Sequence, residues 1–218
     1  MSFGLGRGRQ LETGAWGLVQ DDLPPHDQGS FDPHSLFPVT KSRLEIEIGA
    51  GKGTFLVQQS SLQPETNFLG IEWAGEFYRY AADRLRRREL HNVRVLHANA
   101  TEFIRFWCPD SCTSVVHLYY SDPWPKKRHH KRRVLQSESL EQFHRILEPD
   151  GEIHLVTDHA ELWAWYEELV GANQKMFSRE EFSPPQSAQE GEFVGTNFER
   201  KYQAEKRSVS AMTLRRLG

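Results

Sequence analysis

Short apolar runs and amphipathic stretches alternate along most of the chain. The runs LEIEI (44–48), NFLGIEW (67–73), VRVLH (93–97), VVHLYY (115–120) and EIHLVTD (152–158) are rich in β-branched and aromatic residues and read as strands. Between them the apolar positions return at helical spacing: Phe55 and Leu56, then Phe77, Ala81 and Leu85, then Phe103, then LEQFHRIL (140–147), then Trp163, Tyr166 and Leu169. Ser139, with Gln142 three residues on, predicts a capping box opening the LEQFHRIL helix. Residues 148–151, EPDG, read as a turn, and the alternation of Val209, Ala211 and Thr213 reads as a last strand. Strand followed by helix, repeated five times, predicts an α/β fold with a mostly parallel sheet and helices on both faces. Ligands in such a fold gather at the carboxyl ends of the strands.

Two stretches stand outside this pattern. Residues 1–40 are rich in Gly and Pro with few periodic apolar positions, and read as a flexible extension ahead of a domain spanning 41–218. Arg7 and Arg9 in that extension read either as phosphate contacts or as part of a mobile terminus. SPPQSAQEGE (183–192) reads as a polar loop that stays mobile until something binds.

Charge changes the picture more than composition does. The formal net charge is −3, which by itself argues against a nucleic-acid partner, yet the cations are clustered. They concentrate in KKRHHKRR (126–133), in RLRRR (84–88) and in the C-terminal tail. The first cluster follows a strand end and reads as a phosphate-binding surface. The second reads as a solvated helix face. No run is long and apolar enough to span a membrane, and the N-terminus lacks the apolar core of a signal peptide, so a cytoplasmic location is expected. Cys108 and Cys112, with no second pair to complete a zinc site, read as reduced structural thiols.

Candidate chemistry falls at the strand ends. The first strand runs into Gly49-x-Gly51-x-Gly53, with Glu47 two residues ahead of the first glycine. A glycine turn lets backbone approach a ligand closely, and a helix start behind it favours electron-rich groups. The position where a dinucleotide fingerprint wants Gly or Ala is Thr54, so adenosylmethionine fits better than a nicotinamide cofactor. Glu72, at the end of the next strand, is where such folds grip a ribose. Asn99 reads as an adenine contact, a helix cap, or both. Asp122 and Asp158 end the fourth and fifth strands. Four carboxylates on one rim could instead hold Mg²⁺, but Gly51-Lys52-Gly53 lacks the hydroxyl of a phosphate-binding loop, so no metal is expected. Trp124, wedged between Pro123 and Pro125, reads either as a stacking platform for an extruded base or as a residue that orders the loop.

LEIEIGAGKG, FLGIEW, HANATEFI, SDPWPKKRHHKRR, LVTD and TNFE, in that order, resemble the bacterial tRNA (guanine-N7-)-methyltransferases over roughly residues 43–210. The SDPWPKKRH block followed by TNFE is the specific part; the glycine loop is shared widely. The resemblance implies a class I methyltransferase fold with a seven-stranded sheet. It also implies S-adenosylmethionine as cofactor, tRNA as partner with no obligate protein partner, and methylation of a variable-loop guanosine at N7. By the same resemblance Glu47, Gly49, Gly51, Gly53, Glu72, Asn99 and Asp122 serve the cofactor, with Asp122 catalytic where cofactor and base meet. Lys126, Asp158, Thr196, Asn197, Phe198 and Glu199 serve the RNA, the last four forming the guanosine pocket. Two other readings compete: methylation of an exocyclic amine, because Asp-Pro-Trp-Pro is reminiscent of Asp-Pro-Pro-Tyr elements, and an RNA-binding scaffold without turnover.

Overall fold

A computed structural model describes residues 10–28, 31–39, 43–196, 199–200 and 208–218. The chain forms two compact units, one ending at Pro109 and the other starting at Asp110.

The first unit carries four parallel strands, β1 (Gly17–Val19), β2 (Arg43–Ile48), β3 (Thr66–Glu72) and β4 (Val93–His97), in the order β1-β4-β3-β2. Every residue of β3 is buried, as expected of a parallel strand covered on both faces. Three helices return the chain between or after these strands: α1 (Thr54–Leu62), α2 (Gly75–Arg86) and α3 (Ala100–Phe106). Phe55 of α1 meets Phe68 of β3 edge-to-face at 6.4 Å.

Part of the stretch read as a flexible arm is built into this unit. β1 extends the sheet beyond β4, pairing Gly17 with Val95 and Val19 with His97. Trp16 donates its indole N–H to the Leu90 carbonyl at 2.6 Å, and Trp107 donates its own to the Pro24 carbonyl at 2.8 Å. Asp83, buried on α2, accepts from Arg86 and Arg87 at 3.0 and 2.9 Å and from the Glu12 amide at 3.4 Å. Two of the RLRRR arginines are therefore bound to a buried carboxylate. A third, Arg84, donates to the Lys52 carbonyl and the Thr54 hydroxyl. The Arg7 and Arg9 expectation lies outside the described residues.

The second unit carries β5 (Thr113–Tyr119), β6 (Leu147–Thr157), β7 (Phe177–Glu180) and β8 (Ser210–Arg216), with helices α4 (Ser137–Ile146) and α5 (Ala160–Ala172). β5 and β6 are parallel, whereas β8 lies antiparallel to both β6 and β7. Eight strands are thus described where seven were expected. The short β1 escaped notice because three residues are too few to show a period. The turn read at 148–151 is absorbed into β6, with Asp150 at φ +62° marking the bend. The capping box sits three residues earlier than predicted. Gln136 is the cap and Ser139 its partner, the Ser139 hydroxyl accepting from the Gln136 amide at 2.8 Å. The prediction failed because Gln136, a weak capping type, performs the role usually given to Ser or Thr. Both cysteines are buried thiols, not joined in a disulfide.

Candidate active site

In the first unit, β2 ends where three glycines in succession turn the chain into α1. Gly49, Gly51 and Gly53 have φ of +78°, +54° and +65°, a region that favours glycine. The turn is pinned by Gly49 and Ala50, whose amides both donate to the Ile71 carbonyl, and by the Gly53 amide, which donates to the Ala50 carbonyl. A Cβ on Gly49 would meet nothing within 4 Å and one on Gly51 only the Gly49 carbonyl at 3.9 Å, so the loop borders open space.

Two carboxylates lie beneath it. Glu72 is 8% exposed; its Oε2 accepts from the Gly51 amide and its Oε1 from the Ala74 amide, both at 2.7 Å. It thereby ties the glycine loop to the end of β3, and a carboxylate oxygen that accepts one hydrogen bond has the lone pairs to accept another. Glu47, on the neighbouring β2, is 4% exposed, and its Oε2 has no hydrogen-bond partner among the described residues. Burial first and the Glu72 charge second raise its pKa well above the ordinary value. An orphaned buried carboxylate beside an open glycine cradle calls for a donor-bearing, preferably cationic, ligand. Asn99, at the end of β4, caps α3 through Oδ1, which accepts from Thr101 and Glu102 amides at 3.1 and 3.4 Å. Its Nδ2 makes no hydrogen bond within the described residues and remains available to a ligand.

In the second unit, β5 ends in a loop that presents Asp122. Asp122 itself is exposed and makes no hydrogen bond among the described residues; its neighbours hold it. Tyr120 and Trp124 flank it at φ of +49° and +43°, a conformation costly for side-chain-bearing residues. Such a loop persists because it is anchored on each side. The Tyr120 amide donates to the Val156 carbonyl at 2.8 Å, and the Ser121 hydroxyl bonds the buried Tyr166 hydroxyl at 2.8 Å. Burial pushes the Tyr166 phenol up to about 12, against the opposing Ser121 bond and Arg133 charge. Beyond Asp122, the Pro123 carbonyl accepts from Arg133 Nε at 2.9 Å.

The basic run 127–132 forms a 3-10 turn with Lys126 at its head. Lys126, Lys127, Arg128, Lys131 and Arg132 are exposed, but Arg133 is buried. Trp124 takes its neighbours from the run: Arg132 lies over its ring at 4.9 Å and His129 meets it edge-on at 5.9 Å. These contacts tie Trp124 to the basic run.

Asp158, half-buried, lies in the turn between β6 and α5, beside Thr157, whose hydroxyl accepts from the His159 amide at 3.2 Å. The loop expected to be mobile is built of turns. Ala188 and Glu192 amides donate to Pro185 and Gln189 carbonyls at 2.9 Å, and Arg200 grips Glu192 at 2.6 Å. Glu199 is 1% exposed, and its carboxylate accepts three backbone amides, from Phe193, from Val194 at 2.9 Å and from Gly195 at 2.8 Å. The Thr196 hydroxyl accepts from the Glu199 amide at 3.1 Å. Glu199 therefore organises the loop's own backbone. Asn197 and Phe198 lie outside the described residues. Burial, then the Glu199, Asp158 and Glu192 charges, raise the Tyr120 phenol, so these acids share one neighbourhood around the residue two before Asp122.

A family model described as "Putative methyltransferase" matches residues 41–212. A tRNA (guanine-N(7)-)-methyltransferase of Alkalilimnicola ehrlichii is 34% identical over 201 residues, covering 92% of this chain and 82% of the relative. The chain belongs to the tRNA (guanine-N(7)-)-methyltransferase family. Members from Geobacillus thermodenitrificans and Geobacillus kaustophilus are each 42% identical, the matches spanning 65% and 60% of those relatives' lengths. Among solved structures, the aminoglycoside resistance methyltransferase NpmB1 superposes with a TM-score of 0.58 at 18% identity, covering 80% of this chain and 87% of that one. An rRNA methylase from Streptococcus thermophilus gives 0.54 at 13%, covering 88% and 94%. These likenesses establish the Rossmann-like class I methyltransferase fold.

In this member of the guanine-N(7)-methyltransferase family, Glu72 is bonded to the glycine loop, Glu47 on the neighbouring strand feels its charge, and Asn99 follows the strand beside Glu72's. Asp122 and Asp158 follow the ends of paired strands. Sequence reasoning missed three residues at these sites. Trp73, directly after Glu72, is 73% exposed, and its carbonyl is within 3.0 Å of His97 Nε2. An indole left in water at a strand's ligand end was visible in NFLGIEW, but only burial shows it is uncovered. Gln20, which accepts from the Asn99 amide at 3.3 Å, gave no signal at all, and Arg133, read with the rest of the basic run as phosphate-binding, is buried instead.

Proposed function

We propose that this chain transfers a methyl group from S-adenosylmethionine to N7 of a guanosine in the variable loop of tRNA. The observation that carries the reading is Asp122: an exposed carboxylate, unengaged among the described residues, in the loop after β5 and four residues before the first of five exposed cations, in a member of this family.

The first unit fits the cofactor. Glu47 accepts from a cationic amine, Glu72 accepts ribose hydroxyls, Asn99 Nδ2 meets the adenine, and Gly49 and Gly51 leave room for the ligand. When bound, S-adenosylmethionine supplies a methyl group on a positively charged sulfur. Guanine N7 carries an in-plane lone pair and no proton at neutral pH, so the chain needs no general base. Alignment of the reacting atoms accounts for the rate, and such alignment is worth on the order of 7–11 kcal/mol. The ring gains positive charge as the N7–methyl bond forms, and Asp122 stabilises it. Asp158 accepts from the N1–H and N2–H₂ edge, which selects guanine over adenine. Lys126 and Thr196 contact the RNA, and Asn197 and Phe198 complete the pocket. Glu199 shapes that pocket through the loop it holds. A tRNA substrate is consistent with a cytoplasmic location; among the described residues no helix is long and apolar enough to cross a membrane.

The test is transfer of labelled methyl to a tRNA transcript and to one whose variable-loop guanosine is replaced by adenosine. Label recovered as 7-methylguanosine from the first alone is expected. Label from both would discard the target, and label in an exocyclic amine would replace the reaction. Asp158→Ala should reduce use of the transcript at least ten-fold while adenosylmethionine binding changes less than two-fold; equal loss of both would remove its assigned role.

A further inference from the structure

The basic run 126–133 looks uniform in sequence, but one of its cations is used differently from the rest. The Arg133 side chain is only 1% exposed, whereas Lys126, Lys127, Arg128, Lys131 and Arg132 all face solvent. Its guanidinium makes two directed bonds, Nε to the Pro123 carbonyl at 2.9 Å and an Nη to Glu161 Oε1 at 2.7 Å, and it lies over the Trp165 ring at 5.2 Å. Glu161 and Trp165 belong to α5, as does Tyr166, which bonds Ser121. Trp165 in turn donates its indole N–H to the Leu135 carbonyl at 2.8 Å, two residues past Arg133. One helix thus holds the residues on both sides of Asp122, reaching Ser121 directly and Pro123 through Arg133. A buried guanidinium with its donors committed to a carbonyl and a carboxylate cannot also meet a phosphate without breaking this arrangement.

We infer that Arg133 is a positioning residue for the methyl transfer, one that sets Asp122 through the Pro123 carbonyl rather than binding RNA. The inference rests on the methyl-transfer reading above. It assigns Glu161 as the carboxylate that fixes the guanidinium plane, so that Nε points at the loop. The planar fork matters: the compact ammonium of lysine cannot supply the two divergent donors from one buried position.

The experiment compares Arg133→Lys, Arg133→Met, Glu161→Gln and Lys127→Ala in the full chain. Three quantities are read: the single-turnover rate of methyl transfer at saturating tRNA, the dependence of tRNA Kd on salt, and the melting temperature. Both Arg133 variants should lower the single-turnover rate at least ten-fold with tRNA affinity and salt slope unchanged. Lys127→Ala should instead reduce the salt slope, by about 0.7–0.9. Glu161→Gln, which leaves the Nε bond to Pro123 available, should give an intermediate loss of rate. Full activity in Arg133→Lys together with a reduced salt slope in Arg133→Met would overturn the inference and return Arg133 to the phosphate-binding surface. Should Arg133→Met not fold, Arg133→Lys and Glu161→Gln decide the matter, since normal rates in both would also overturn it. No transfer by the unmodified chain would instead remove the methyl-transfer reading, an outcome separable from any behaviour of the variants.

Discussion

Glu47 and the glycines above it make opposing demands on the empty protein and on the liganded one. Its carboxyl holds its proton well above the ordinary value of 4.5, from burial first and from Glu72 second. An acid whose pKa rises on folding contributes stability below its unfolded value and loses it as pH climbs through its folded value. The ligand-free chain should therefore lose stability as pH rises above 4.5, and Glu47→Gln should remove that loss, melting higher than the parent at neutral pH. The same variant should bind adenosylmethionine at least ten-fold more weakly, because the amide cannot pair with a cation. Parallel melting profiles for variant and parent would refute the assignment. The glycines divide similarly. Gly51→Ala places its Cβ in open space and costs only the left-handed backbone, about 1–2 kcal/mol. Gly53→Ala bears the same cost and adds a Cβ 3.0 Å from that of Ala81. Gly51→Ala should fold and lose cofactor affinity, whereas Gly53→Ala should melt lower than Gly51→Ala, an order that differential scanning would check. Both glycines and both acids were legible in the sequence, because a ligand at a strand end draws on few residue types. That Glu47 has an unpartnered oxygen was not, since satisfaction of a polar atom depends on everything folded around it.

At the scale of elements, the loop 182–196 behaves as a part with its own fastener. Three amides converge on the Glu199 carboxylate, and a hydrogen bond to a charged acceptor contributes about 1.5–3 kcal/mol net of solvation, less than additively when one carboxylate takes several. Glu199→Ala should destabilise the second unit by about 3 kcal/mol and speed hydrogen exchange at Val194 and Gly195, with cofactor binding unaffected. Unchanged exchange at those two amides would show that the loop is held by other means. The strands and helices themselves were readable from period alone, β5 and β3 best of all, since an unbroken apolar run buried on both faces has one interpretation. Three features did not follow from period. β1 is too short to show one. β7 is a four-residue edge strand with a single fully buried position. The α4 cap is set by Gln136, whose amide N–H finds the Ser139 hydroxyl only once the helix has formed.

For the whole molecule the distribution of charge outweighs its sum. A net charge of −3 coexists with five solvent-facing cations in seven residues, and those five should set the salt dependence of RNA binding. Replacing Lys127, Arg128 and Lys131 together by Ala should lower the slope of log K against log salt by roughly 2–3, while the comparable change at Arg86 and Arg87 should leave it alone. A slope that follows the second cluster instead would contradict this division. Both clusters look alike on paper, yet Arg86 and Arg87 are bonded to the buried Asp83. The α/β alternation, the strand ends near Glu47, Glu72, Asn99, Asp122 and Asp158, and the family were readable along the chain, because hydrophobic period and short motifs are properties of neighbours in sequence. Which cations are open to a ligand and which are struts, that Glu199 serves its own loop, and that Gly17–Val19 forms a strand emerge only from the folded chain. Each of those depends on a partner dozens of residues away, and a charge or a hydrogen-bonding group acquires its role from what it meets in space.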